Sequence, residues 1–162
     1  MKILQATIPE GPNGIRVTLN LMGRLAAAAQ AEPWLYILAR RIVAPAAGKD
    51  HAAEAALIYR WVQQHIAYRW DPADHEALQT PANTVALRAG DCDDMTTLIV
   101  ALARSIGLRT RMMVGGRSKG HYIHVWPEVW AGGRWLALDA TERRGPGWRP
   151  PLPYLMAAMP RG

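Results

Sequence analysis

The sequence predicts an α+β domain in which helices come first and an antiparallel sheet follows. Up to residue 107, apolar residues recur at spacings of three and four, which is typical of the buried face of a helix. From residue 108 onward, short runs alternate apolar and polar residues, which is typical of strands. The sequence Ala131-Gly132-Gly133 lies between two of these runs and predicts a hairpin. We therefore expect helices packed against an antiparallel sheet.

The composition is that of one globular domain. The chain has 162 residues, of which half are hydrophobic and a fifth are charged, which suits a single core. The single cysteine excludes an intrachain disulfide framework. The segment around Glu10 does not read as a signal peptide, and no apolar run approaches the length of a membrane span. We therefore expect a cytoplasmic protein.

The net charge of +6 raises the question of nucleic acid binding. The basic residues are scattered, and they form no stripe interleaved with aromatic side chains. The nearest thing to a patch is Arg143, Arg144 and Arg149, in a segment rich in proline and glycine. A basic, solvated surface explains this pattern, so we expect neither nucleic acid nor a membrane as a partner.

Three helices are predicted in the first 66 residues. Residues 18–31 are rich in alanine and leucine and end before Pro33. Residues 33–43 begin with that proline, which is favoured in the first turn of a helix. Between residues 50 and 66, apolar side chains again recur at helical spacing. Residues 69–83 contain two further prolines and predict an irregular connection.

A fourth helix begins in the sequence Gly-Asp-Cys-Asp-Asp of residues 90–94, which holds the only cysteine. Asp91 is a suitable N-cap, and Asp94 three residues later completes a capping box. Gly107 suits the left-handed residue that ends a helix. Cys92 therefore lies in the first turn, where free N–H groups and the helix dipole favour a thiolate and lower the thiol pKa. Because the aspartates oppose that charge, we expect the thiolate to need a cationic partner.

The region after this helix supplies the partner. Three strands are predicted, at residues 108–114, 121–130 and 134–139. A two-residue turn between Trp130 and Gly133 would pair His124 directly with Asp139 on one face of the sheet. The carboxylate can then hold the imidazole in one tautomer and stabilise its cation. Together with Cys92, these residues indicate the nucleophile, base and orienting group of thiol catalysis.

Three motifs together resemble the transglutaminase-like superfamily of papain-fold cysteine enzymes. They are the Gly-x-Cys helix start, a His-x-Trp-x-Glu-Val motif at residues 124–129 and a Trp-x-x-Leu-Asp-x-Thr motif at residues 135–141. The resemblance implies that Cys92 is the nucleophile, His124 the base and Asp139 the orienting carboxylate.

The resemblance also implies an organisation for the chain. It covers residues 54–141 and implies a papain-like, transglutaminase-like catalytic core, with the nucleophile helix packed on the antiparallel sheet. Residues 1–50 would form a helical extension, and residues 142–162 a tail rich in proline, glycine and arginine. We therefore expect one domain over residues 1–162.

The segment before the cysteine resembles one subgroup of the superfamily. Asp71-Pro72, Glu76 and the Leu-Gln-Thr-Pro sequence of residues 78–81 are most similar to transglutaminase-like proteins of tailed bacteriophages and prophages. This implies a protein of the bacterial host cytoplasm or one associated with the virion, with phage structural proteins among its partners. The small size and the lack of a calcium-loop pattern depart from animal transglutaminases, which makes protein cross-linking the less favoured activity.

Other residues are candidates for supporting roles. The backbone N–H of Cys92 can donate to an oxyanion, and Gln79 in the irregular connection is our candidate for the second donor. Trp126 and Glu128 share the predicted face of His124 and could shield it or bond to it. A packing role accounts for both of them equally well.

Three other interpretations of these residues stay open. A lone buried cysteine is usually an inert hydrophobic side chain, although the downstream motifs argue for more. Cys92, His121 and His124 could bind zinc, but the two histidines project to opposite faces of a strand. The aspartates of residues 91–94 could bind calcium, but helix capping already explains them. We therefore expect no metal and no cofactor.

The predicted function is a thiol-dependent hydrolase, a cysteine peptidase or amidase that cleaves an amide bond of a protein or peptide through a thioester on Cys92. Two alternatives stay open. One is a protein-glutamine acyltransferase, in which an amine takes the place of water. The other is a phage assembly or structural accessory protein whose triad is unused.

Overall fold

The computed structural model describes residues 4–5, 12–70 and 77–159. Within these ranges it contains five helices and eight strands. In chain order they are β1 (Leu4–Gln5), α1 (Pro12–Gln30), α2 (Pro33–Val43), α3 (His51–His65), β2 (Ala67–Tyr68), β3 (Ala77–Leu78), α4 (Pro81–Leu87), β4 (Ala89–Gly90), α5 (Cys92–Ser105), β5 (Thr110–Ser118), β6 (His121–Ala131), β7 (Arg134–Ala137) and β8 (Tyr154–Ala158). The predicted α+β class is confirmed.

Four of the five described helices correspond to predicted ones, and the main differences are the earlier start of α1 and the additional helix α4. α1 begins at Pro12 rather than at residue 18, with proline at its first position. α2 has the predicted bounds, and α3 differs by one residue at each end. α4 begins in the segment predicted to be irregular and extends beyond it to Leu87. At its start, the Thr80 side chain accepts a hydrogen bond from the backbone N–H of Asn83. None of the described helices is long and apolar enough to cross a bilayer.

α5 is the central element of the fold. Its ten residues from Asp94 to Ala103 are all buried, so it is enclosed on every side rather than on one apolar face. It contacts the other four described helices and also β6. Its N-terminus, which carries Cys92, is therefore held in a fixed position against the sheet.

The main sheet has four antiparallel strands in the order β7-β6-β5-β8. β8 belongs to the segment 142–162 that the sequence predicts as a tail, and it pairs with β5 from Tyr154 opposite Gly116 to Ala158 opposite Met112. This segment therefore completes the sheet.

The hairpin between β6 and β7 has a different register from the predicted one. Ala131 pairs with Arg134, so the two-residue turn is Gly132-Gly133 and not the pair one position earlier. Both glycines have positive φ, 59° and 77°, as a tight hairpin turn of the primed types requires. The direct pairing of His124 with Asp139 is therefore wrong.

The change of register nevertheless keeps the two side chains on one face. Moving the turn by one position shifts every pairing by two residues, and side chains alternate with a period of two. β7 ends at Ala137, and Asp139 follows it in the next segment. Continuing the ladder brings Asp139 opposite Trp126, diagonal to His124, where side chains still reach one another.

Candidate active site

The N-terminus of α5 is fixed by its own aspartates. The Asp91 side chain accepts hydrogen bonds from the backbone N–H groups of Asp93 and Asp94, at 2.9 and 3.2 Å. The Asp94 side chain in turn accepts from the backbone N–H of Asp91, so the predicted capping box is confirmed. Cys92 follows the cap as the first residue of α5, and its partly buried side chain packs against the core.

His124 and Asp139 form a short hydrogen bond. Nε2 of His124 lies 2.7 Å from Oδ2 of Asp139, and the Asp139 side chain is almost completely buried. Oδ1 of Asp139 accepts hydrogen bonds from the backbone N–H and the hydroxyl of Thr141, at 3.1 and 2.6 Å. The carboxylate is therefore held from both sides. Because it engages Nε2, the nitrogen of His124 that can serve a nucleophile is Nδ1.

The first turns of α5 lie against β6 beside His124. The backbone N–H of Val125, the next residue after His124, donates to the sulfur of Cys92. One turn further along α5, the hydroxyl of Thr96 donates to the carbonyl of Val125 at 3.4 Å. The thiol itself donates to Oδ1 of Asp93 at 3.6 Å and not to His124. The structure therefore brings Cys92 next to the His124 backbone, with the thiol proton directed to a neighbouring carboxylate.

The surroundings of Cys92 disfavour a thiolate in this state. Burial raises the pKa of the Cys92 thiol above its ordinary value, and the carboxylates of Asp93 and Asp91 raise it further. The N–H of Val125 lowers the pKa by less than these effects raise it. The thiol is therefore protonated at rest, which reverses the sequence-based expectation of a lowered pKa. A base has to remove the proton during the reaction.

Tyr68 is a site residue that the sequence analysis missed. β2 and β4 are parallel, and Tyr68 pairs with Gly90, two residues before Cys92. Tyr68 is 37% exposed, and its partial burial raises the pKa of its hydroxyl. The charges that Cys92, Asp91, Asp93 and Asp139 carry when ionised raise this pKa further, in that order. The Tyr68 hydroxyl therefore lies in the same group of interacting charges as the candidate nucleophile. Strands of two residues leave no periodic signal, so the sequence pattern could not reveal this pairing.

Gln79 is engaged away from the thiol. Its side-chain amide donates to Oδ2 of Asp94 at 2.5 Å and to the carbonyl of Ala89 at 3.3 Å. Its backbone N–H donates to Oδ1 of Asp94 at 2.8 Å. The predicted oxyanion role of Gln79 therefore gains no support from the geometry, since both amide hydrogens are already used.

Asp94 is the residue that Gln79 holds in place. Its side chain is buried, and burial raises the pKa of the Asp94 carboxyl to about 7, with a further contribution from the charge of Asp91. Hydrogen bonds from Gln79 and Asp91 oppose this rise. A side chain at Gly90 would come within 2.6 Å of the Asp94 side chain, so the glycine of the motif makes room for this carboxyl.

Trp126 and Glu128 support the site in different ways. The Trp126 ring is fully buried and stacks on His124, with ring centroids 6.0 Å apart. Glu128 is also fully buried and forms ion pairs with Arg111 at 2.6 Å and Arg149 at 2.7 Å. The indole N–H of Trp126 donates to Glu128 at 3.5 Å. Glu128 is therefore linked to His124 through Trp126, which bonds the one and stacks on the other.

One group of side chains has ligand atoms close enough for a metal ion. Among the described residues, only Asp91, Cys92 and Asp93 offer such a set, with their atoms within 4.8 Å of one another. His121 and His124 are not part of it, so the zinc interpretation finds no support in this part of the chain. Helix capping and the thiol hydrogen bond already account for the two aspartates, and we assign no metal here.

The family of the chain follows from these motifs and from a direct comparison. Residues 37–140, well over half of the chain, match the model of the transglutaminase-like superfamily. The chain therefore belongs to the transglutaminase-like superfamily. The observed arrangement of helices and antiparallel sheet is the papain-like, transglutaminase-like fold that the sequence predicts.

Solved structures share this fold at low sequence identity. A candidate cysteine protease from Cytophaga hutchinsonii is 22% identical, with a TM-score of 0.53, over 67% of this chain and 37% of that one. A candidate protease from Parabacteroides distasonis is 8% identical, with a TM-score of 0.58, over 82% of this chain and 27% of that one. LapG of Legionella pneumophila is 14% identical, with a TM-score of 0.51, over 75% of this chain and 73% of that one. At such identities the similarity shows the fold alone.

The chain corresponds to only part of two of these proteins. The chain spans well under half the length of the Cytophaga and Parabacteroides proteins. A search of curated proteins finds no match. Asp71, Pro72 and Glu76, on which the expectation of a phage origin depends, lie outside the described residues, as does Glu10.

Proposed function

We propose that this protein is a thiol-dependent hydrolase of amide or peptide bonds, with Cys92 as nucleophile, His124 as base and Asp139 as the group that orients the base. The observation that carries the proposal is the 2.7 Å hydrogen bond between His124 and Asp139, one residue away from the N–H that contacts the Cys92 sulfur. Nucleophile, base and orienting group are the parts that covalent thiol catalysis requires.

The first half of the reaction forms a thioester. Nδ1 of His124 takes the thiol proton while the sulfur of Cys92 attacks the carbonyl carbon of the amide. Asp139 stabilises the imidazolium that results. The tetrahedral intermediate then collapses, the C–N bond breaks, and the imidazolium gives its proton to the leaving nitrogen. The products of this half are a thioester on Cys92 and a free amine.

The second half regenerates the thiol. Water attacks the thioester carbonyl while His124 takes one of its protons. The carbon–sulfur bond then breaks, and the imidazolium returns the proton to the sulfur. The products are a carboxylic acid and the resting thiol. With an amine instead of water, the same thioester gives a new amide, which is the acyltransferase alternative.

The negative charge of the intermediate needs hydrogen-bond donors. The backbone N–H of Cys92 at the start of α5 is one donor. We assign the second to the hydroxyl of Tyr68, because Tyr68 pairs with Gly90, two residues before Cys92, and its hydroxyl interacts electrostatically with the Cys92 sulfur. Gln79 is less suited because its amide hydrogens bond Asp94 and Ala89.

The phage origin is part of the same proposal and rests on sequence similarity. The motif at residues 71–81 is similar to transglutaminase-like proteins of tailed phages and prophages. A protein or peptide substrate in the host cytoplasm or in the virion, including phage structural proteins, follows from that similarity. An unused triad in an assembly protein is the competing proposal.

The test uses an activated ester, so that it needs no knowledge of the natural substrate. The protein is mixed with p-nitrophenyl acetate, and nitrophenol release and the mass of the intact protein are followed together. We expect an acetyl adduct to form rapidly on Cys92 and then to be hydrolysed slowly. The Cys92→Ser variant should show neither the adduct nor the nitrophenol release that accompanies it. Equal reaction of wild type and Cys92→Ser would contradict the proposal. Added amine that replaces hydrolysis completely would favour the acyltransferase.

A further inference from the structure

A cleft of about 360 Å³ opens beside the candidate base. The described residues that line it include His124 and Asp139 but not Cys92. The other walls are largely apolar, and the main contributors are Ile123, Trp148, Pro150 and Leu152. The volume lies in the lower part of the range of small-molecule sites, about 300–1,000 Å³, which suits one side chain with its adjacent backbone.

The segment 148–153 forms a fixed wall of this cleft. Leu152 packs against the small buried cluster of Met113, Trp126 and Ala137. Arg149, within the segment, forms the ion pair with the buried Glu128 at 2.7 Å. These contacts attach the wall to the same residues that support His124, so the cleft and the base keep their relative position.

Ile123 reaches the cleft because of a β-bulge. Gly115 pairs with His124 and Gly116 pairs with Tyr122, which makes Ile123 the extra residue of the ladder. In a regular strand Ile123 would project to the face opposite His124, but a bulge redirects a side chain. Ile123 thus lines the cleft with His124 and remains 48% exposed. A side chain at Gly116 would collide with the carbonyl of His121, so this geometry depends on glycine.

The position of the cleft decides which part of a substrate it can hold. His124 has to give a proton to the leaving nitrogen, so the leaving part of the substrate lies on the side of His124. The acyl part becomes bonded to Cys92 and lies on the side of the thiol. A cleft bordered by His124 and not by Cys92 therefore faces the leaving part.

We propose that this cleft binds an aliphatic or aromatic side chain of the residue that supplies the leaving nitrogen, and that Ile123 helps to select it. The inference rests on the proposed function, because only acyl transfer through Cys92 gives the substrate a leaving side. Arg117 and Glu142 also line the cleft, and both are exposed. Their charges are opposite and offset each other, which leaves the apolar walls to determine the preference.

The experiment uses the reverse of amine release. An amine that attacks the thioester passes through the same transition state as a leaving amine, so it binds in the same place. Wild-type protein is acetylated with p-nitrophenyl acetate in the presence of leucinamide or glycinamide at equal concentrations. The amount of N-acetylated leucinamide or glycinamide is then compared with the amount of acetate released by hydrolysis. We expect leucinamide to be preferred about tenfold or more, the discrimination typical of an apolar pocket.

Two variants assign the preference to the cleft. Ile123→Ser is expected to lower the preference for leucinamide by roughly threefold or more, because apolar contact area is lost. Ile37→Ser is the matched control, since Ile37 is an exposed isoleucine on α2 and is 57% accessible. It should leave the preference unchanged. If Ile123→Ser does not fold, the wild-type comparison of the two amines still tests whether the leaving side prefers an apolar side chain.

The possible failures are distinguishable. Without any acetylation of Cys92 in the wild type, the proposed function is wrong and the cleft assignment is wrong with it. If Cys92 is acetylated but leucinamide and glycinamide react equally, the cleft assignment alone is overturned. Equal effects of Ile123→Ser and Ile37→Ser would overturn the role of Ile123.

Discussion

Nε2 of His124 lies 2.7 Å from Oδ2 of Asp139, whose side chain is only 1% exposed. The other oxygen of that carboxylate accepts two hydrogen bonds from Thr141. Because both oxygens are occupied, Asp139 fixes the orientation of the imidazole and leaves Nδ1 to act as the base.

Asp139→Asn should slow acylation of Cys92 strongly while the protein stays folded. The amide preserves volume and can still hydrogen-bond, but it cannot stabilise an imidazolium. Because the thiol is protonated at rest, that cation forms only during the reaction, as in a serine triad, where the equivalent change costs about ten-thousand-fold. We expect a loss on the order of a thousand-fold or more in the single-turnover acylation rate. An unchanged rate in a folded variant would remove Asp139 from the mechanism.

Asp93→Asn should make the thiol more reactive. After burial, the Asp93 carboxylate is the largest cause of the raised pKa of Cys92, so its removal lowers that pKa. Alkylation by iodoacetamide follows the thiolate fraction, which changes tenfold for each pH unit below the pKa. We expect the pH profile of alkylation to move to lower pH. Glu32→Gln, at an exposed helix start without a side-chain cap, is the control and should not move it.

Tyr68→Phe should lower the acylation rate by about a hundredfold, the typical cost of one oxyanion donor. The ring and its packing are kept, so only the hydroxyl is tested. Tyr36→Phe removes the hydroxyl of an exposed tyrosine on α2 and provides the comparison. Equal rates for the two variants would show that Tyr68 does not stabilise the intermediate.

Asp94→Asn should remove part of the pH dependence of stability. The folded-state pKa of Asp94 is raised from 3.8 to about 7, so the folded protein binds this proton more tightly than the unfolded chain. Its contribution to stability is therefore full at low pH and is lost as the pH rises through this window. The free energy of unfolding, measured in urea, should fall less steeply with pH in the variant than in the wild type. The difference accumulated between these two pH values should be on the order of a few kcal/mol. Identical slopes would mean that Asp94 ionises normally.

Local signals in the sequence account for what could be predicted of the fold. The capping box of Asp91 and Asp94, the proline at the start of α2 and the alternation in β5 and β6 are short-range patterns with physical causes. The motifs around Cys92, His124 and Asp139 are also local, and they indicate the superfamily to which the chain belongs.

The remaining features depend on contacts between distant residues. The pairing of Tyr68 with Gly90 joins two strands of two residues each, which have no periodicity to detect. The predicted turn lies one residue before the observed Gly132-Gly133 turn, because the alternation of side chains in the two strands is the same for either turn position. The raised thiol pKa reflects burial of Cys92, which only tertiary packing determines. β8 lies in a segment whose prolines and glycines hide its pairing with β5.

The most direct test of the central claim is a double-mutant cycle on the acylation rate of Cys92. The rates with p-nitrophenyl acetate are measured for wild type, His124→Gln, Asp139→Asn and the variant that carries both changes. If Asp139 acts only through His124, the double variant should react as slowly as His124→Gln alone, because residues that act as a unit are not additive. A double variant whose loss equals the product of the two single losses, or a His124→Gln variant as fast as the wild type, would contradict the account.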